Sequence, residues 1–429
     1  MKPPPDRGDQ AASAAAGRGR RLTAAMLAVF AAAQTISLFG DRLNNFSLAA
    51  MASRFAADPS MQLAWIYLAM YLPVFLLAPL AGLLIDRLDK RWVLVVTDLV
   101  RGLLVMLIPV LFVRYGSFLP VMMIVFLLTT GNLFFLPAKS GLLPEIVPPG
   151  RLVRINSILW GAGVAGFIGG FLGGGLIFDY WSWAACFYLD GATYLVSALL
   201  LLSVAMRVGP PAPASAIPAP PPAAGRAGFW HDAAEGVREL RRRPSVLGPL
   251  LVQALIFFGA GGFSVLALVL IQGVSAEGSS MGLAAAGLCA GVGMALGSVF
   301  AERLSPGRRR AGSACCFALM APAAAAVALA RSLPVLCAGA MLGGLSAAPL
   351  IVLSETALQT EISPGVRGRV FALREVLTRS LFLLSSFLFS MLGAACGRPA
   401  VMVALGVFLA ITGPAAAAMP RAGGNVAEH

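Results

Sequence analysis

Charge is what this sequence has least of. Only 12% of its 429 residues are Asp, Glu, Lys or Arg, against 59% hydrophobic, and the mean hydropathy is +0.84. Soluble domains carry roughly 25% charged residues, and a fold of this length could not hide so much apolar surface from water. Lipid is therefore its solvent. Histidine occurs only as His231 and His429, both in polar segments, which excludes His-based catalysis within the membrane. A membrane enzyme would need a His–Asp pair or clustered interfacial carboxylates, and neither is present, so an enzyme is not expected. The six cysteines lie in or beside apolar runs without CxxC or His-rich spacing, which argues against a metal site. Cys315 and Cys316 are adjacent, hence about 100° apart on a helix, and read as small apolar fillers. No cofactor is expected. Lysine is limited to Lys2, Lys90 and Lys139, and the net charge of +13 comes from arginines clustered in short loops. That distribution fixes topology and does not suit a nucleic-acid groove.

What is present is a succession of apolar runs. A helix needs about 20 residues to cross a ~30 Å hydrocarbon core. Such runs lie near 24–53, 62–85, 92–113, 117–138, 155–178, 183–206, 246–271, 281–301, 311–330, 334–358, 370–394 and 399–419. The expected fold is an all-α membrane protein of twelve transmembrane helices. Residues 1–21, rich in Pro, Ala, Gly and Arg, read as a disordered cytoplasmic tail. The apolar run from Leu22 to Phe55 is too long for a signal-peptide core. With an inner N-terminus, twenty-six Lys and Arg fall on the inner side and only Arg54, Arg114, Arg331 and Arg398 on the outer, with Arg42 and Arg101 inside spans. The imbalance places both termini in the cytoplasm, as expected for a bacterial inner-membrane protein.

The chain divides into a six-helix half at 22–206, a cytoplasmic linker at 207–244, a second half at 245–420 and a short cytoplasmic tail at 421–429. The linker opens with a Pro/Ala stretch, 209–224, that favours extended structure. Phe229–Arg243 then reads either as a short amphipathic helix on the lipid surface or as a solvated charged loop. The halves are pseudo-symmetric. Asp86-Arg87-Leu88 recurs as Glu302-Arg303-Leu304, and Glu145-Ile146 with Pro148 recurs as Glu361-Ile362 with Pro364. Both pairs share an offset of 216 residues (86 to 302, 145 to 361), as do Arg151 and Arg367. Two loops with one offset indicate parallel duplication of a six-helix unit.

The loop after the second span reads Gly82-Leu-Leu-Ile-Asp86-Arg87-Leu88-Asp89-Lys90-Arg91. It resembles the G-x-x-x-D-R-x-G-R-R motif of the major facilitator superfamily, with Asp89 in place of the usual glycine. Gly82 permits close helix approach, and Asp86 can accept from a helix N-terminus or an arginine, with the start of the eleventh helix after Arg367 and Arg369 as its partner. By the repeat, Glu302 would face Arg151 or Arg154. These residues, with Arg87, Arg91 and Arg303, read either as an inner gate or as a charge cluster that only fixes topology. Five stretches sharpen the resemblance: 39–51 (FGDRLNNFSLAAM), 84–103, 137–158 (PAKSGLLPEIVPPGRLVRINSI), 187–201 (FYLDGATYLVSALLL) and 365–377. Together they are similar to the drug:proton antiporter branch that contains macrolide efflux proteins and enterobactin exporters. The resemblance implies a proton-linked exporter of hydrophobic or amphipathic small molecules (drug, macrolide or siderophore-like). The fifth span has Gly170 where that branch usually has proline, and the PAK and FGD blocks also resemble lysophospholipid transporters, which keeps a lipid flippase as the alternative.

In the first span Gln34, Ser37, Asp41, Asn44 and Asn45 form a polar stripe at spacings of three and four. Asp41 sits near mid-span. A carboxyl there is costly unless it is paired or faces a wet cavity, so it is the candidate proton carrier, with Arg42 as the alternative static partner. Asp98 and Arg101, three residues apart, read as a structural pair, and Asp190 as a packing residue. Lys139 either binds an anionic headgroup or snorkels to the interface. Glu355 and the Arg374/Glu375/Arg379 cluster fall near the cytoplasmic mouth and suit gating. Tyr67, Tyr71, Asn132, Gln253 and Ser385, with Gln34 and Asn45, are cavity candidates, each open to the alternative of helix packing. The expected partners are a small-molecule substrate, protons and membrane lipid, and the chain is expected to act as a monomer. Single cysteines at Ser215 and Ser279 should therefore label from opposite sides of the membrane. Labelling of both from the outside would contradict this topology.

Overall fold

In a computed structural model the described residues are 24–85, 88–147, 152–207, 244–274, 280–303, 309–362 and 364–418. Helices fill almost all of them, and none of the described residues forms a strand. In chain order they are α1 (Ala24–Phe55), α2 (Pro59–Ile85), α3 (Lys90–Tyr115), α4 (Phe118–Ile146), α5 (Leu152–Tyr180), α6 (Trp183–Arg207), α7 (Pro244–Gln272), α8 (Met281–Arg303), α9 (Arg309–Ala328), α10 (Leu333–Glu361), α11 (Pro364–Cys396) and α12 (Arg398–Ala418). Each overlaps one of the apolar runs. Among the described residues, eleven helices carry a window long and apolar enough to cross a membrane. The other, α1, spans 32 residues and carries the polar stripe. The twelve-helix all-α fold inferred from composition is present.

Local chemistry explains where the helices begin and end. Pro59, Pro244 and Pro364 open α2, α7 and α11, where a missing N–H costs nothing. Asp89 caps α3 by accepting from the Arg91 N–H at 3.1 Å, and Ser117 caps α4 through the Leu119 N–H. Gly116 ends α3 in the left-handed region (φ 60°), which a side chain would disfavour. Val147 ends α4 in an extended conformation (φ −88°, ψ 130°), and Pro148 after it disfavours further helix. Ile362 ends α10 with nearly the same angles (φ −93°, ψ 128°). Each donates its N–H four residues back, to the Leu143 and Leu358 carbonyls. The repeated Glu-Ile segments thus close their helices in the same way, although the caps match one residue out of step with the sequence offset. The proposed linker helix at 229–243 and both tails lie outside the described residues.

Packing gathers the chain into two units. The first draws on Met1–Asn44, Ala69–Gly170 and Ala184–Gly225, and its core includes Phe30, Leu94, Phe135, Leu142, Ile146 and Leu201. The second draws on Asn45–Leu68, Phe171–Trp183 and Arg226–His429, so it takes the end of α1, the start of α2 and the end of α5 together with α7–α12. Leu266, Val327, Leu336 and Met402 lie in its core. Within this unit Phe46 meets Phe171 edge-on at 5.6 Å, and Asp179 accepts twice from the Ser280 N–H, at 2.8 and 3.0 Å. Ser390 also donates to Ser60 at 3.0 Å.

Inside the first unit α1 and α5 approach closely at Gly170. A Cβ there would lie 2.6 Å from the Arg42 Cβ and 3.0 Å from the Arg42 carbonyl carbon. That contact gives a positive reason for glycine where the resembled branch has proline: α5 needs bare backbone at this point. Gly170→Ala should lower the thermal unfolding midpoint of the purified protein, as overpacking costs about 1–3 kcal/mol. Gly161→Ala, on the same helix with nothing within 4 Å, should not. Equal midpoints for the two variants would contradict the close approach.

Candidate functional site

The FGD, DLVRG and FYLDGATY stretches come together in the first unit. Asp41 of α1, Arg101 of α3 and Tyr194 of α6 each lie at least eleven residues from either end of their helices (101 from 90, 194 from 183). Arg101 donates to the Asp41 carboxylate at 3.0 Å and to the Tyr194 hydroxyl, which in turn donates to Asp41. The guanidinium also stands 4.3 Å from the centre of the Tyr194 ring. On its other side lies Asp98, 3.7 Å away, which accepts from Ser197 at 2.7 Å. One guanidinium thus serves two carboxylates and a phenol. Its planar fork suits that task, and a lysine could not repeat it.

Burial separates the members. The Arg101 side chain is 5% exposed and Asp98 is fully enclosed, whereas Asp41 keeps 31% of its side chain accessible. Asp41 is therefore the network's accessible carboxylate. Its partner is Arg101, sixty residues on (41 to 101), and not the adjacent Arg42. Arg42 turns instead towards the Phe167 ring at 5.9 Å, and its Nε has no hydrogen-bond partner among the described residues. The i,i+3 geometry of Asp98 and Arg101 holds, yet the pair is joined to Asp41 and is more than a local tie.

Asp190 and Thr193 close the network on α6. Thr193 donates to the Asp190 carbonyl at 2.7 Å, and both side chains press against Gly40, where any Cβ would collide with them. Gly102 and Gly191 meet in the same way: a Cβ on either would fall 2.9–3.1 Å from the other's carbonyl oxygen. Small residues thus let α1, α3 and α6 converge around the charges. Lys139 of α4 is half-buried with its ammonium 5.8 Å from the Phe135 ring centre, and it interacts electrostatically with Asp41, Asp98 and Arg101.

A second polar cluster forms in the other unit. Gln253 of α7 donates to Glu355 of α10 at 2.9 Å, and Arg374 of α11 bridges Glu355 and Glu375. Arg379 closes the chain on Glu375. Gln253 is thus held by protein, as is Ser385, whose hydroxyl donates to the Phe382 carbonyl at 2.9 Å. Tyr67 stacks edge-on to Phe382 at 5.0 Å. Gln34 is buried with its amide nitrogen unpartnered among the described residues, while Asn45, Tyr71 and Asn132 are half-buried.

Arg91, a gating candidate, is held by Asp89 through paired contacts of 2.5–3.1 Å and donates to the Ala205 carbonyl at 3.3 Å, near the end of α6. Asp89 in the motif's glycine position therefore both caps α3 and orients Arg91. Gly82 lies within α2, and Arg303 is exposed at the end of α8. Asp86, Arg87 and Arg151 lie outside the described residues, as do the side chains of Arg154, Glu302, Arg367 and Arg369.

Residues 30–311 match the profile of the Major Facilitator Superfamily. An uncharacterised MFS-type transporter of Mycobacterium tuberculosis is 29% identical over 394 residues, covering 88% of this chain and 87% of the relative. A shorter match, 27% identical over 133 residues and covering 31% of this chain and 33% of the relative, is to a Bacillus subtilis protein described as a candidate bacilysin exporter. The fold is also that of a bacterial homologue of the iron transporter ferroportin, solved in an inward-facing state, with a TM-score of 0.68, 18% identity and coverage of 93% and 100% of the two chains.

Tyr194→Phe removes a hydroxyl that serves both Arg101 and Asp41, and should destabilise the purified protein by about 2 kcal/mol, the scale of a hydrogen bond to a charged group. Arg101→Ala leaves Asp98 buried without its cation and should cost more, about 3–5 kcal/mol. Unfolding midpoints equal to wild type in both variants would contradict the network.

Proposed function

The chain belongs to the major facilitator superfamily of membrane transporters, and on that premise we propose that it exports hydrophobic or amphipathic small molecules in exchange for protons. The observation that carries this reading is the Asp41–Arg101–Tyr194 contact at mid-helix, in which the carboxylate stays accessible while its guanidinium is buried. Arg101 occupies the Asp41 carboxylate while the two are in contact. A proton or a cationic substrate arriving at Asp41 competes with Arg101 for one carboxylate, so only one of them is held at a time. That exclusion is the elementary requirement of antiport. The relative described as a candidate bacilysin exporter supports the outward direction.

Alternating access would use the Asp86 and Glu302 loops as inner gates, against the start of α11 and against Arg151 or Arg154. Gln34, Asn45, Tyr67, Tyr71, Asn132, Gln253 and Ser385 are the proposed cavity residues, sparse polar groups among apolar walls that suit bulky hydrophobic ligands. The arginine distribution supports a bacterial inner-membrane location with both termini in the cytoplasm. One observation favours a second reading. Lys139 has no carboxylate within ion-pair distance among the described residues, so its ammonium is available to an anionic headgroup, as transport of a lysophospholipid would require.

Transport in proteoliposomes under imposed pH gradients, across cationic drugs, siderophores and lysolipids, tests the proposal. Asp41→Asn keeps the size of the side chain and removes its titration. The variant should insert normally but lose uphill efflux driven by the proton gradient, with rates falling at least about tenfold. Full uphill efflux by Asp41→Asn would refute proton carriage at this residue. Lysolipid movement independent of the gradient would favour the second reading.

A further inference from the structure

The network in the first unit holds more carboxyls than cations among the described residues. Asp41, Asp98 and Asp190 are three carboxyls, and all three act electrostatically on Arg101. Among the described residues, the cations that act on them are two, Arg101 and Lys139. Arg101 is already engaged by Asp41 and Asp98. Asp190 is 0% exposed and its Oδ2 has no partner among the described residues, while Oδ1 has only the Thr193 hydroxyl at 3.5 Å. Gly40 seals it against the α1 backbone. An ionised carboxylate so enclosed, with no cation left to it, would be prohibitively costly.

We infer that Asp190 and Asp41 share one proton, which rests on Asp190 while Arg101 holds Asp41 ionised and passes to Asp41 when that contact breaks. In the transfer one O–H bond breaks at Asp190 and one forms at Asp41. The sum over Asp41, Asp98, Asp190, Arg101 and Lys139 stays at zero in both arrangements. The groups facing Asp190 fit this exchange: Asp41 from α1, Asp98 and Arg101 from α3, and Thr193 and Tyr194 on α6 itself. Arg101, relieved of Asp41, supplies the charge that a newly ionised Asp190 needs. Asp190 is thus a positioning group for the proton. It lets Asp41 become neutral without leaving an uncompensated guanidinium in the membrane.

The inference rests on Asp41 as the proton carrier, and two variants separate the claims. In Asp190→Asn the acid cannot ionise, so protonating Asp41 leaves the network with a net positive charge. The pH midpoint of coupled transport should then move to the acid side by about one pH unit. In Asp41→Asn the network balances only with Asp190 ionised, so the infrared carbonyl band of a protonated carboxyl expected in wild type near pH 8 should vanish. This readout does not depend on Asp190→Asn folding. A wild-type midpoint in Asp190→Asn, or a band that persists in an Asp41→Asn protein devoid of coupled efflux, would overturn proton sharing alone. Coupled efflux retained by Asp41→Asn would overturn the carrier reading, and this inference with it.

Discussion

A single guanidinium within the first unit holds together three of its helices. Arg101 cannot lose its proton and cannot be left bare in lipid, so the protein must surround it with acceptors. Asp98 supplies one from the same helix, while Asp41 and Tyr194 supply the others from α1 and α6. Once these are in place, α1, α3 and α6 must stay close at mid-height, and this dictates the small residues around them. Gly40, Gly102 and Gly191 are where backbones or side chains of neighbouring helices would collide with any Cβ. The buried cation therefore precedes the packing in the logic of the fold, and the glycines are its consequence.

The same constraint gives the network its functional asymmetry. Two carboxyls, Asp98 and Asp190, are sealed, and Asp41 keeps part of its surface accessible. A site that must take up and release a proton needs one accessible member and a fixed countercharge that remembers where the proton belongs. At the positions 216 residues after Asp41, Arg101 and Tyr194, the second unit carries Phe257, Phe317 and Ala410. Its own ion cluster, Glu355 with Arg374 and Glu375, lies on α10 and α11 and engages Gln253 of α7. The helix ends at Val147 and Ile362 close alike, while the charged interiors differ.

Much of this was legible in the sequence, because lipid imposes strong rules. Apolar runs of fixed length mark the helices, and proline and Gly-116-type punctuation marks several of their ends. Asp41 stood out as a costly acid in an apolar run. Its partner did not: Arg42 is adjacent in sequence, but successive residues on a helix point apart, and the true cation arrives from another helix sixty residues away. Asp190 read as a packing residue because it falls early in the sixth span, near the outer surface. The signal that could have found it was its own position, an acid four residues before Tyr194 in an apolar run. Likewise the affinity of Gln253 for Glu355 is a contact between helices, which spacing along one helix cannot disclose.

The central claim is that proton and substrate compete for Asp41, and proton release on binding tests it most directly. Purified wild-type protein in weakly buffered detergent near neutral pH would be mixed with tetraphenylphosphonium, with binding followed by intrinsic fluorescence and released protons by a pH-sensitive dye. The account predicts release of about one proton for each cation bound. Saturable binding of the cation with no proton released at any pH would contradict it.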